Sequence, residues 1–178
     1  MLRGKGFYIW KIKKCENGNV EEIARKAKAA NFSHILIKIA DGKYTYNYDW
    51  DHHRDLVPPL IKALHKKEIE AWGWHFVYGN EPQEEAQKAI QRIHGLNLDG
   101  YVIDAEGSYA KDGKEQAART FMNLLTNHVQ NIPIALSSYR FPSYHPKLPW
   151  DAFLSKCDYN MPQVYWMKAH NAGEQLKR

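Results

Sequence analysis

The sequence predicts an α/β fold of the TIM type: a (β/α) barrel of parallel strands alternating with helices, in a single domain over residues 1–178. Three observations predict it. Strand signals alternate with helix signals from one end of the chain to the other, and the strands are apolar on both faces, as a buried parallel sheet requires. The chemically suggestive residues fall at the C-terminal ends of the strands, where a barrel carries its site. A doubly wound sheet also fits the alternation, but no glycine-rich phosphate loop follows the first strand, which argues against its dinucleotide-binding form.

In chain order, Gly6-Phe-Tyr-Ile-Trp-Lys-Ile12 reads as the first strand. Asn17-Gly18 turns, and Asn19 caps a helix to about Asn31, with Glu21 and Glu22 at its positive end. His34-Ile-Leu-Ile-Lys-Ile-Ala40 is the second strand, and Lys43 to His53 is a long polar and aromatic loop. A helix from about Arg54 to Lys67 takes Pro58 and Pro59 near its first turn. Ala71-Trp-Gly-Trp-His-Phe-Val-Tyr78 is the third strand, and Pro82 opens a helix to about Ile93. Tyr101-Val-Ile-Asp-Ala-Glu106 is the fourth strand. The helix from Gly113 to His128 has Ala117, Ala118, Phe121, Leu124 and Leu125 at helical spacing. Ile132 to Tyr139 is the fifth strand, and Phe141 to Pro149 is a proline-rich loop. A short helix covers Trp150 to Lys156. Tyr159 to Trp166 is the sixth strand, with a bulge or irregular end expected at Pro162, and Ala169 to Arg178 starts a last helix.

Small or polar residues inside apolar strands (Lys38, Ala40, Gly73, His75) suit a barrel interior. Six units where a barrel has eight lead to the expectation that the last two are missing. The open edges would then pair with a second copy, making a homodimer, or with a natural continuation of the chain.

Composition narrows the function. Hydrophobic residues at 44% and charged residues at 25% describe a globular domain. Six Trp and 11 Tyr, many near strand ends, supply flat rings for stacking on sugars or bases. The net charge of +5 is spread over predicted helices, and no basic run interleaves with aromatics, which argues against nucleic acid as a partner. No apolar run is long enough for a membrane span, and no leader is visible, so the compartment is unknown. Cys15 follows the first strand and Cys157 precedes the sixth, at opposite ends of the sheet, so both are expected as free thiols. No cofactor motif is seen. Asp49-Trp-Asp-His-His53 lacks the distant third ligand a metal site needs. Ser137-Ser138 lacks the glycines of a nucleophile elbow.

The fourth strand carries the chemistry. Alternation points Val102, Asp104 and Glu106 to one face, with the two carboxyls about 6.6 Å apart along it at about 3.3 Å per residue. Two carboxyls at the end of a buried strand must be paired, hydrogen-bonded or partly protonated, an arrangement that makes one of them an acid.

Four segments together resemble glycoside hydrolase family 25, the barrel lysozymes, with echoes of family 18 chitinases. They are Ile35-Leu-Ile-Lys-Ile-Ala-Asp-Gly42, Gly73-Trp-His-Phe-Val-Tyr78, Val102-Ile-Asp-Ala-Glu106 and Pro162-Gln-Val-Tyr-Trp166. The resemblance implies a glycosidase of the lysozyme or muramidase kind, acting on an N-acetylhexosamine polymer such as the peptidoglycan of a cell wall. In it Glu106 would be the general acid, with a raised pKa, and Asp104 its assistant at the substrate's N-acetyl group. The chain departs from family 25 at the first strand, where Tyr8-Ile-Trp10 replaces an aspartate, and it lacks the late strand that carries another. A non-catalytic carbohydrate-binding barrel, or a fragment of a larger cell-wall or phage protein, is the alternative.

The substrate-binding candidates are Asp41, Trp10, Trp74, His75, Tyr139, Gln163, Tyr165 and Trp166. Each has a plainer reading: a turn for Asp41, a hydrogen-bonded core histidine for His75, a backbone-paired amide for Gln163, and packing for the aromatic residues.

Overall fold

The structure, a computed structural model, describes residues 2–165 of the chain. Six parallel strands form one curved sheet: β1 (Gly6–Ile9), β2 (His34–Asp41), β6 (Glu70–Val77), β7 (Gly100–Ala105), β8 (Ile134–Tyr139) and β9 (Tyr159–Gln163). Their spatial order follows the chain, each pairing only with its neighbours in sequence. A doubly wound sheet would reverse that order partway. The result is a half-barrel, and among the described residues β1 and β9 do not pair with each other. The short β3 (Tyr44–Thr45) adds antiparallel to β2, and β4 (Tyr48–Asp49) and β5 (Arg54–Asp55) form a small hairpin. Residues 43–53 were expected to be loop throughout; instead their backbone groups pair in these two-residue ladders.

The helices cover the convex side. In α1 (Val20–Ala29) the Asn19 side chain accepts from Glu22 N at 3.1 Å, and Ile23, Ala24 and Ala27 are buried. Helix α2 runs Val57–His65 with its prolines in the first turn, starting later than the sequence suggested because Arg54 and Asp55 belong to β5. Helix α3 (Pro82–Gly95) packs on α4 (Glu115–His128), which buries Ala118, Phe121, Met122 and Leu125 at helical spacing. Helix α5 is Trp150–Leu154.

Alternation along the strands divides the apolar residues into two layers. Residues such as Ile35, Ile37, Tyr101, Ile103 and Leu136 pack against the helices. Leu36, Trp72, Trp74, Val102 and Ala135 fill the concave side. A Cβ at Gly100 would run into the Trp72 indole, so the glycine admits that ring to the concave layer. Pro162 causes no bulge: β8 and β9 pair in register from Ala135↔Tyr159 to Tyr139↔Gln163. The proline is tolerated because, among the described residues, β9 pairs with β8 alone. The bulge lies elsewhere, in β2, where the register slips between Lys38 and Ala40. Cys15 and Cys157 are both free and partly buried. The predicted last helix lies outside the described residues, and no helix among the described residues is long and apolar enough to cross a membrane.

Candidate active site

A cavity of about 820 Å³ opens at the C-terminal end of the sheet, on its concave side. Its position follows from strand parity. Tyr8 and Trp10 on and beyond β1, Trp74 and Phe76 on β6, Asp104 on β7, Ser137 on β8 and Gln163 on β9 all point inward. Glu106, one residue beyond β7, and Tyr165, beyond β9, complete the rim.

Asp104 and Glu106 share a hydrogen bond. Burial, and then the neighbouring charge of Glu106, push the Asp104 carboxyl up to about 7. The carboxyl so raised is Asp104. The reason is depth: Asp104 lies within the strand, whereas Glu106 lies past its end. The Lys38 charge and the Gln163 amide act on Asp104 in the opposite direction. Gln163 Nε2 donates to Asp104 Oδ1 at 3.0 Å and to Glu106 Oε1 at 2.8 Å, and stands 3.3 Å from Ser137 Oγ. Tyr165 Oη reaches the Gln163 carbonyl oxygen at 3.4 Å. With its carboxyl raised to about 7, Asp104 keeps its proton to about neutrality beside Glu106, and the Gln163 amide bridges the two.

The cleft wall is aromatic. Trp74 is buried, with its indole N–H donating to Ile9 O at 3.2 Å. Trp10 is 57% exposed and packs edge-on to Trp74 at 5.4 Å between centroids. Its N–H donates to Tyr46 Oη at 2.8 Å, which fixes the plane of the ring. Tyr8 faces Ser137 across the cleft, from β1 to β8, and burial raises its hydroxyl to about 12.

Of the residues singled out in sequence, Asp104, Glu106, Trp10, Trp74, Gln163 and Tyr165 meet around this cavity. Tyr139 sits next to it. Its ring stacks on His145 at 3.4 Å, and its hydroxyl is pushed up by burial and by Glu106. Asp41 is taken up by partners, Lys38 Nζ at 2.6 Å and Tyr78 Oη at 2.7 Å, and borders a smaller neighbouring pocket. His75 does not join them. It is fully buried on the helix side of β6, between Tyr101 Oη and Gly42 O, each at 2.7 Å. Adjacent strand residues face opposite ways, so Trp74 and His75 could not both line the cleft. Trp166 lies outside the described residues. Tyr8, Phe76 and Ser137 were missed; two-residue steps back from Trp10 and on from Trp74 lead to the first two. Asp49, in the Asp49–His53 segment, pairs with Lys13 and His52 instead, and no group of three or more His, Cys, Asp or Glu side chains among the described residues could hold a metal ion.

No protein-family model matches this chain, and no curated protein matches it. Among solved structures it is similar to the C-terminal domain of a putative chitinase from Desulfitobacterium hafniense DCB-2, with a TM-score of 0.66 at 17% identity. The match covers 90% of this chain and 54% of that one, so the chain spans about half the length of its neighbour. At that identity the likeness is one of fold.

Proposed function

We propose that the chain is a barrel-type glycoside hydrolase acting on an N-acetylhexosamine polysaccharide such as chitin or peptidoglycan, with Glu106 as general acid and Asp104 assisting. The observation that carries this reading is the pair of carboxyls, Asp104 and Glu106, bridged by the Gln163 amide in an aromatic-walled cleft. The description of the structural neighbour agrees in reaction class. No basic side chain is among the cleft-lining residues described, which suits a neutral sugar better than an acidic one.

Glycoside cleavage needs an acid at the leaving oxygen and a stabiliser for the oxocarbenium-like centre. In this reading a sugar ring lies on the Trp10 face and the shared proton moves to Glu106, which gives it to the glycosidic oxygen. The C1–O bond breaks as the substrate's own acetamido oxygen closes on C1. Asp104, now a carboxylate, accepts from the acetamido N–H. Water then opens the cyclic intermediate and returns its proton to Glu106.

The second reading, a barrel that binds carbohydrate without cleaving it, draws on the first strand, which shows Tyr8-Ile-Trp10 where the lysozyme family has an aspartate. One experiment separates the two: release of reducing ends from chitin oligosaccharides and purified cell walls by the wild type and Glu106→Gln. Turnover in the wild type, reduced about 10²-fold or more in the variant, is expected of a general acid. Equal, non-zero turnover removes Glu106 from its role, and sugar binding without turnover in either protein establishes the second reading.

A further inference from the structure

Lys38 is a charged group that the chemistry above leaves unused. Its side chain is 1% exposed, on the concave face of a largely apolar strand. An ammonium is costly there unless it is paired. Two features offset the cost. Asp41 Oδ2 lies 2.6 Å from Lys38 Nζ, and Asp41 Oδ1 accepts from Tyr78 Oη at 2.7 Å. The rings of Trp10, Tyr46, Trp74 and Phe76 surround the ammonium, with centroids at 4.3, 4.4, 4.8 and 5.7 Å. Trp10, Trp74 and Phe76 also wall the cleft, so the charge stands behind the surface onto which Asp104 opens.

The backbone is shaped to seat this pair. Strict alternation from Lys38 would turn Asp41 toward the helices. The register slip at Ile39 inserts one residue, so that Asp41 aligns with Phe76 and faces the same side as Lys38. The carbonyls freed by the bulge are satisfied. Lys38 O accepts from Asn47 Nδ2 at 2.8 Å, and Ile39 O accepts from Tyr46 N at 3.0 Å and Arg92 Nε at 3.1 Å.

Several elements present groups to Asp104. Lys38 comes from β2 and Gln163 from β9, and both favour the carboxylate; Glu106, beyond β7, opposes it. Tyr8 from β1 and Tyr165 beyond β9 are phenols whose own ionisation Asp104 disfavours. Lys38 in turn faces Asp41 and Tyr46, and its charge also reaches His75 on the other face of the sheet.

We propose that Lys38 is a positioning residue for the acid pair: a fixed cation, seated by the Ile39 bulge and Asp41 behind the aromatic wall, that restricts Asp104 and Glu106 to one shared proton. A second proton would leave no carboxylate for the acetamido group. That catalytic consequence rests on the glycosidase reading; the charge effect itself does not.

The test is a side-chain carboxyl NMR titration of Asp104 in the whole chain, comparing wild type with Lys38→Met, Lys38→Gln and Lys38→Arg. The Asp104 midpoint is expected to rise by about one pH unit or more in the neutral variants, since a unit charge acts by at least that much out to about 12 Å at an effective dielectric near 20. It should return toward the wild-type value in Lys38→Arg. Lys38→Gln keeps a donor for Asp41 and carries the test if Lys38→Met does not fold. A purely structural ion pair would leave the midpoint unchanged in a folded neutral variant, and that result overturns the proposal whatever the turnover. Where turnover is measurable, the alkaline limb of kcat/KM should move up with the midpoint. A shifted midpoint in a protein that cleaves no glycan supports the role of Lys38 and counts against the glycosidase reading alone.

Discussion

The Gln163 amide nitrogen stands 2.8 Å from Glu106 Oε1, joining β9 to the carboxyl proposed as the acid. The same nitrogen donates to Asp104, so one side chain sets the orientation of both groups. Gln163→Leu fills similar space and donates nothing. The expected result is a fall in kcat/KM of roughly 10–100-fold, the scale for losing an orienting hydrogen bond around a reacting group. The melting temperature should change little, because among the described residues β9 pairs with β8 alone. Steady-state kinetics with thermal melts check it; undiminished turnover would remove Gln163 from the machinery.

The Asp104 carboxyl has a stability signature that needs no substrate. Its folded pKa, about 7, is above the ordinary 3.8, so the stability it contributes is fully present below pH 4 and is lost as pH rises to about 7. His75 has the opposite sign. Burial lowers it from 6.5 to about 4, so its contribution is present at neutral pH and is lost as pH falls through that interval. The two slopes oppose each other in the same window. Asp104→Asn removes one of them while keeping a donor toward Glu106. Its melting temperature relative to wild type should climb from pH 4 to 7 and level off above. Its own stability should rise by roughly 2–3 kcal/mol between pH 4 and 6.5 as the His75 slope is unmasked. A difference curve flat with pH would show that Asp104 is not the raised carboxyl.

The shared faces on β7 and β9 were legible because successive side chains of a strand point to opposite faces. Asp104 and Gln163 were therefore placed correctly relative to the sheet without knowledge of the fold. Three features were not legible. The bulge at Ile39 carries no glycine or proline to mark it, so nothing announced that Lys38 and Asp41 share a face. The greater depth of Asp104 depends on where β7 ends, and strand boundaries are the least determined part of a sequence reading. The β6–α3 turn is organised by Glu85, whose carboxylate accepts from the backbone N–H groups of Tyr78, Gly79, Asn80 and Glu81. In sequence Glu85 reads as one more helix-face acid. His75 is the contrary case: the alternation that faces Trp74 inward was enough to turn it away.

Trp10 and Trp74 make edge-on contact yet should respond to truncation in different ways. Trp10 is half-exposed, its plane fixed by Tyr46, and its open face belongs to the cleft. Trp74 is buried in the concave core and tied to the β1 backbone. Trp10→Ala removes a stacking surface worth about 0.5–1.5 kcal/mol, so affinity for a chitin oligosaccharide should weaken by up to about tenfold. The protein should stay folded, with some loss from the exposed side of the Lys38 cage. Trp74→Ala leaves a cavity among Leu36, Val102 and Ala135 and should cost about 3–5 kcal/mol of stability, beyond any effect on binding. Calorimetric titration with oligosaccharide, alongside denaturant melts, resolves the two. If Trp10→Ala binds as well as wild type, the aromatic wall is packing rather than a sugar platform, and the substrate lies elsewhere in the cleft.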